Sequence, residues 1–314
     1  MRPAVGIDLG ASKVRVALVE PQGGVMSETV FPVGGDRGPK SLVERIRGGV
    51  EEVLKEAALP VEAIEGVGIG CAGQISPDGR KVLFGPNLDW RDIPLADMLE
   101  DELRRVVILE NDVRAAALGE ALLGAGRGFT DLICVFVGSG VGAGIIIGGR
   151  PLRGASNLAG EVGHIKLDPH GPPCSCGGQG CLEVYAGGTH VSRRVREALE
   201  SGKKSSLAEA RELHVRAVEE AARRGDPLAM EIWDQVVRAL GLGISNLVTI
   251  FNPAMVIMGG GVIEASPALI PHVRDAIQRW VTMLSGKEVQ VAKAQLGARA
   301  PAIGASRLLF RHGA

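Results

Sequence analysis

Residues 4–19 read Ala4-Val5-Gly6-Ile7-Asp8-Leu9-Gly10-Ala11-Ser12-Lys13-Val14-Arg15-Val16-Ala17-Leu18-Val19, and this stretch sets the class of the fold. A short apolar run breaks at Gly10-Ala11-Ser12 and returns with alternation, which predicts a β-hairpin. A third strand is expected over 25–31, after Gly23-Gly24. Leu42, Val43, Ile46, Val50, Val53 and Leu54 then recur at helical spacing within 40–58. Strands at 66–71 and 106–109 and a helix over 113–123 complete a first cycle. A second cycle opens at Asp131, with a strand over 132–137, a turn at Gly138-Ser139-Gly140 and a returning strand over 143–147. Residues 150–185 read as loop and helices dominate 189–250. A strand at 254–258 runs into Gly259-Gly260-Gly261, and a helix near 266–283, a strand near 288–292 and a last helix near 302–310 follow. Strands alternating with helices give an α/β fold with parallel and antiparallel elements in each half. No linker rich in Ser, Pro or charge parts the halves, so the boundary near 112–130 is expected to be a hinge through packed structure.

Composition narrows the function. The 314 residues suit roughly two domains. Only ten are aromatic (six Phe, three Trp, one Tyr), so the core is aliphatic. The 45 glycines are about twice the usual share, with no G-X-Y period, and must serve turns and close backbone approaches. Thirty-five basic against 36 acidic residues leave a net charge of −1, so no global basic field exists to hold nucleic acid. No apolar run is long enough to cross a membrane. Met1-Arg2-Pro3 leads directly into the first strand without a signal-peptide pattern, which points to the cytoplasm. Three of the five cysteines crowd at 174, 176 and 181, a spacing that suggests a metal rather than a disulfide framework.

Three clusters carry chemistry. In Asp8-Leu9-Gly10-Ala11-Ser12-Lys13 a carboxylate at a strand end precedes a glycine turn with a hydroxyl and an ammonium. Turn amides, Ser12 and Lys13 suit phosphate oxygens, and Asp8 suits Mg²⁺; a plain hairpin turn capped by Asp8 fits the same residues. Gly138-Ser139-Gly140 and Gly259-Gly260-Gly261 repeat the theme, and three such turns suit one nucleotide. Asn111-Asp112 stands at a strand–helix junction, where the helix dipole keeps a carboxylate ionised. Both are also favoured N-caps, and Asp112 is a general base only with a substrate hydroxyl in reach. The third cluster is Glu161-Val162-Gly163-His164 with Cys174-Ser175-Cys176 and Cys181-Leu182-Glu183. One imidazole and three thiolates (His164, Cys174, Cys176, Cys181) fit a closed, structural Zn²⁺ site, with free thiols as the alternative. A loop pinned in that way points Glu161, His164 and Glu183 together, which suits a ligand with several hydroxyls; solvated loop glutamates are the plainer alternative. Cys71 and Cys134 lie in apolar strands as small buried hydrophobes.

In this order, the pieces resemble the ROK family of sugar kinases and regulators. The likeness rests on Asp8–Lys13, Asn111-Asp112 with Ala115 to Glu120, Gly138 to Gly144, Glu161-x-Gly-His164, the Cys-x-Cys-Gly-x-x-Gly-Cys-x-Glu run ending at Glu183, and Gly259 to Gly261. It implies an actin-like (ribonuclease H-like) two-lobed ATPase fold. Its small α/β lobe would comprise residues 1–115 and 295–314, and its large lobe 116–294 with the zinc loop. Sugar would lie in the interlobe cleft beside Mg-ATP. The resemblance makes Asp112 the base for a sugar hydroxyl. Asn87 (in Gly85-Pro86-Asn87-Leu88), Asn111, Glu161, His164 and Glu183 become sugar contacts. Asp8, Gly10, Ser12 and Lys13 match the first phosphate segment, Gly138, Ser139 and Gly140 the second, and Gly259, Gly260 and Gly261 the segment for the nucleotide base and ribose. Two departures stand out: Ala11-Ser12 and Ser139 replace the common Gly-Thr and Thr, and Val113-Arg114 replaces a usual Ala-Asn, a change expected to alter the rim of the sugar site.

The function so implied is ATP-dependent phosphorylation of the glucose 6-hydroxyl, with Mg²⁺ and structural Zn²⁺, in a homodimer or homotetramer without nucleic-acid or membrane partners. Kinases for N-acetylmannosamine, N-acetylglucosamine or fructose share the same contacts; the Gly85-Pro86-Asn87-Leu88-Asp89-Trp90 stretch resembles glucokinases. Repressors of the family carry an N-terminal helix-turn-helix, for which the residues before Asp8 leave no space.

Overall fold

A computed structural model describes residues 2–282 and 284–310. The chain runs β1 (Ala4–Leu9), β2 (Lys13–Val19), β3 (Val25–Pro32), α1 (Pro39–Glu56), β4 (Val67–Cys71), β5 (Gln74–Ile75), β6 (Val82–Gly85), β7 (Trp90–Ile93), α2 (Leu95–Leu103), β8 (Val107–Asn111) and α3 (Asp112–Leu123). It continues through β9 (Leu132–Val137), β10 (Val141–Ile147), β11 (Arg150–Pro151), α4 (Leu182–Ala186), α5 (Gly188–Glu200), α6 (Val215–Arg223) and α7 (Pro227–Phe251). The last elements are β12 (Met255–Gly259), α8 (Gly261–Ala265), α9 (Leu269–Trp280), α10 (Ser285–Glu288), β13 (Gln290–Lys293) and α11 (Ala300–Arg307). Two compact units result. One joins Met1–Thr130, Gly144–Gly160 and Gln295–Ala314; the other joins Asp131–Ala143 and Glu161–Ala294. Met1, Met283 and residues 311–314, which the expected lobes and the expected helix near 266–283 include, lie outside the described residues.

In the first unit the sheet order is β3-β2-β1-β4-β8. β1, β4 and β8 run parallel, while β2 and β3 are antiparallel additions. Alternation along β1 sends Val5, Ile7 and Leu9 into an aliphatic core with Leu42, Ile46 and Val50 of α1. Ala4, Gly6 and Asp8 therefore face the other way. On that side a Cβ at Gly6 or Gly68 would collide with the carbonyl oxygens of Ala302 and Ala305, so α11 rests directly on the strand backbones. At Gly304 it would strike the Ala115 carbonyl, which brings α11 equally close to α3. Glu120, fully buried, fixes the returning chain: its carboxylate accepts the Gln295 amide at 2.9 Å, the Leu296 amide at 2.7 Å and the Ala125 amide at 3.0 Å. Small side chains along Ala300-Pro301-Ala302-Ile303-Gly304-Ala305 are what this approach requires.

The second unit has β9, β12 and β13 in parallel, with β9 pairing β12 and β12 pairing β13. Residues Leu132, Ile133, Val135, Val256, Ile257 and Met258 are all buried, as strands covered on both faces must be. The long α7 starts on a capping Asp226 with Pro227 at its first position and stops at Asn252, which is left-handed at φ 45°. Among the described residues no helix is long and apolar enough to cross a membrane.

The expected elements are present, and the sheet β5-β6-β7 with α2, β11, α4, α8 and α10 is additional. Strands of two to four residues are too short to show a period. Glu183, expected on a loop, lies in the first turn of α4, a five-residue helix inside a glycine-rich stretch.

Gly304→Ala is expected to destabilise the chain by about 3 kcal/mol or more through overpacking against α3. Gly48→Ala, at an exposed position of α1 with open space around it, should stabilise by about 0.5–1 kcal/mol. Chemical denaturation of the two variants beside the parent reads both.

Candidate active site

The parallel register places Asp8 opposite Gly70 and Gly70 opposite Glu110, with Leu9, Cys71 and Asn111 one step further. Three strands thus end along one edge, where α3 begins. Asn111 is the N-cap of α3: its Oδ1 accepts from the Val113 and Arg114 amides, both at 3.1 Å, and its Nδ2 donates to the Gly73 carbonyl at 3.2 Å. Asp112 is then the first helical residue. Gly70 lets the helix start close to the sheet, since a Cβ there would lie 3.3 Å from the Asp112 Cα and 3.2 Å from the Ala115 Cβ.

The electrostatics report the same closeness. The Asp8 carboxyl is pushed up to about 7, first by burial and next by the Asp112 charge, against the pull of Arg15 and Lys13. Burial, followed by the charges of Asp112 and Asp8, raises the Cys71 thiol well above its usual value. Two carboxylates about a hundred residues apart in sequence therefore lie close enough to interact in one low-dielectric patch. Beside them the hairpin turn closes through the Gly10 amide on the Lys13 carbonyl at 3.2 Å, leaving Ser12 and Lys13 exposed. Asn87 is exposed in the turn between β6 and β7. That turn is anchored where the Asn87 carbonyl accepts from Arg37 Nη1 at 2.7 Å and Trp90 Nε1 donates to the Arg37 carbonyl at 2.8 Å.

The second unit gathers its own set. Turn 138–140 follows β9, and Gly260 at φ 90° follows β12 so closely that a Cβ there would meet the Val137 backbone. Phe136 pairs with Gly259, so these two glycine turns sit on neighbouring parallel strand ends. Carbonyls of Gly138 and Ser139 accept from the Gly188 and Thr189 amides at 2.8 and 3.0 Å. The Glu183 carboxylate reaches the same turn, accepting from the Val141 amide at 2.9 Å. His190, which sequence reading missed, is buried with Nε2 3.8 Å from Glu183 Oε1, and its Nδ1 has no hydrogen-bond partner among the described residues. Nothing in the sequence separates this histidine from the exposed face of an amphipathic helix.

His164, Cys174, Cys176 and Cys181 converge, with donor atoms all within 4.8 Å of one another. Cys174 Sγ is 3.7 Å from His164 Nδ1, and Cys176 Sγ is 3.7 Å from Cys181 Sγ. Bonds of about 2.3 Å to a tetrahedral zinc imply edges of roughly 3.8 Å, so this donor set fits that ion. Lys166 Nζ donates to Cys181 Sγ at 2.9 Å and to the His164 carbonyl at 3.0 Å, an ammonium suited to offset thiolate charge. Glu161 is exposed just before the short 3₁₀ turn that carries His164. Arg114, expected at the rim, is instead buried and bound to Glu110, because α3 turns that side chain back onto β8.

The family model described as "ROK family" matches residues 4–312. The chain belongs to the ROK family. Among ROK relatives, a glucokinase of Streptomyces coelicolor is 34% identical over 318 residues, covering 97% of this chain and 96% of that one. The xylose repressor of Caldicellulosiruptor bescii is 31% identical over 92% of this chain and 74% of its own length. Of solved structures, the ROK glucokinase of Streptomyces griseus in complex with glucose and AMPPNP superposes with a TM-score of 0.81 at 34% identity, over 98% of both chains. The expected actin-like α/β fold is thereby shown.

Because burial and Asp112 penalise an ionised Asp8, the folded chain loses stability as pH rises from about 4 through about 7. Asp8→Asn should therefore raise the melting temperature at pH 8 and leave it unchanged at pH 4, as differential scanning calorimetry at the two values would read.

Proposed function

We propose that the chain is an ATP-dependent sugar kinase that phosphorylates the 6-hydroxyl of glucose. The observation that carries this reading is the Asp8–Asp112 pair at the strand ends of the first unit, in a ROK chain whose glucokinase relatives align over nearly its whole length. Asp112, at the positive end of α3, takes the hydroxyl proton as the oxygen attacks the γ-phosphorus, and the bond from that phosphorus to the bridging oxygen breaks to release ADP. In such transfers positioning and electrostatics supply most of the acceleration. Asp8 has the charge and place to hold Mg²⁺, which when bound would neutralise charge developing on the phosphates. That role accounts for a carboxylate whose ionisation is otherwise opposed.

Within the same proposal, Ser12 and Lys13 with Gly10 contact phosphate, as do Gly138, Ser139 and Gly140, while Gly259 to Gly261 approach the nucleoside. Asn87, Glu161, His164 and Glu183 take sugar hydroxyls, each able to accept or donate. Asn111, occupied as the α3 cap, contributes by fixing Asp112 and contacts sugar only with what its amide has left to offer. Zinc on His164, Cys174, Cys176 and Cys181 holds the loop on which Glu183 and Glu161 depend. A dimer or tetramer belongs to this reading and is checked by light scattering.

Asp112→Asn should fold and bind glucose by calorimetry while kcat falls by roughly 10²–10⁴-fold; parent-like turnover in a coupled assay would remove Asp112 from its role. The same assay across N-acetylmannosamine, N-acetylglucosamine, mannose and fructose decides the substrate, with glucose expected to give the highest kcat/KM. Elemental analysis should find one zinc per parent chain and none in Cys176→Ala, whose melting temperature should fall; a zinc-free parent overturns the metal assignment.

A further inference from the structure

Glu110 and Arg114 bracket Asp112 in sequence and pair with each other. Their side chains are 1% and 4% exposed. Arg114 donates to Glu110 Oε1 from Nε at 2.9 Å and stands 2.8 Å from it at Nη2. The same Oε1 accepts the Asn111 amide at 2.9 Å, and the Arg114 amide is one of the two capped by Asn111. The loop Glu110-Asn111-Asp112-Val113-Arg114 is thus closed on itself, with Asp112 at its centre. The other ends of the pair are tied down as well. Arg114 Nη1 donates to the Asn157 carbonyl at 2.8 Å, and Glu110 Oε2 accepts from Arg153 Nε at 3.1 Å and Nη2 at 2.9 Å. Asn157 in turn donates to the Ile75 and Ser76 carbonyls at 3.0 and 3.1 Å. All of these groups lie in the first unit.

A buried ion pair adds little net stability, since neutral residues of similar volume replace such pairs at small cost. What a planar guanidinium with two N–H groups on one carboxylate oxygen adds is a fixed geometry. We propose that Arg114, acting through Glu110, is a positioning residue that holds the proposed base Asp112 in its working orientation. This rests on the kinase reading above for its effect on rate, though not for its effect on geometry.

The test uses the full chain with Glu110→Gln combined with Arg114→Met, which removes both buried charges together and changes the local net charge by nothing. Two readouts are taken: kcat and KM for glucose, and hydrogen exchange at the Val113 amide, which donates to Asn111 Oδ1 at 3.1 Å and to Asp112 Oδ1 at 2.9 Å. Expected are a melting temperature near the parent's, a kcat lower by roughly 10²-fold, the cost of a displacement near 1 Å, and an unchanged KM. The Val113 amide should exchange several-fold faster than in the parent, because Asp112 is no longer held beside it. A parent-like kcat together with parent-like exchange at Val113 overturns the proposal. If the parent itself phosphorylates no hexose, the kinase reading fails, and the Val113 exchange alone decides whether Arg114 positions Asp112. Should the double variant not fold, Arg114→Lys keeps the charge without the fork, and kcat several-fold below the parent at unchanged KM is expected; a parent-like value overturns the proposal.

Discussion

The first unit depends on one constraint: the α3 and α11 helices must lie against bare strand backbone. Gly6, Gly68 and Gly70 clear the sheet face, and Gly304 clears the helix pair. Only with that face cleared does α3 begin within reach of the β1 terminus, and only then do Asp8 and Asp112 share a patch. Glu120 completes the arrangement by accepting three backbone amides, two of them from the returning segment at 295–296. A carboxylate satisfied in this way replaces hydrogen bonds that a buried loop would otherwise leave unmade.

Placing two acids together at a buried edge opposes folding at neutral pH, and the chain tolerates it where a charged ligand belongs. The same economy of backbone appears in the second unit. There a Cβ at Gly260, left-handed at φ 90°, would collide with the Val137 backbone, and one at Gly140 would strike the Glu183 carboxylate. Glu183 reaches that turn from α4, whose N-cap residue is the cluster cysteine Cys181. A single short segment therefore links the four-donor cluster to the glycine turn.

The buried Glu110 carboxylate belongs to a closed set. Glu110 is shared between Arg114 and Arg153, with the Asn111 amide as a further donor. The His190 imidazole, held below its ordinary value first by burial and then by Arg193, sits beside Glu183 instead of pairing with it as a cation. Such sets are invisible to periodicity, because each member looks like an ordinary polar residue of a helix or strand until its partner is known.

By itself the sequence determined the α/β class, the hairpin at 4–19, the long helices, the glycine turns and the ROK membership, because these are written in local alternation, helical spacing and contiguous motifs. The cysteine–histidine set was legible for the same reason: four donors within eighteen residues leave few other uses. The tertiary structure alone decided that Arg114 is buried and not at a rim, that Asn111 and not Asp112 is the cap, that Glu183 rides on a helix, and that Asp112 raises Asp8. Each of these depends on which strand lies beside which and how closely a helix approaches the sheet. That is a property of packing between segments a hundred residues apart, and no local pattern encodes it.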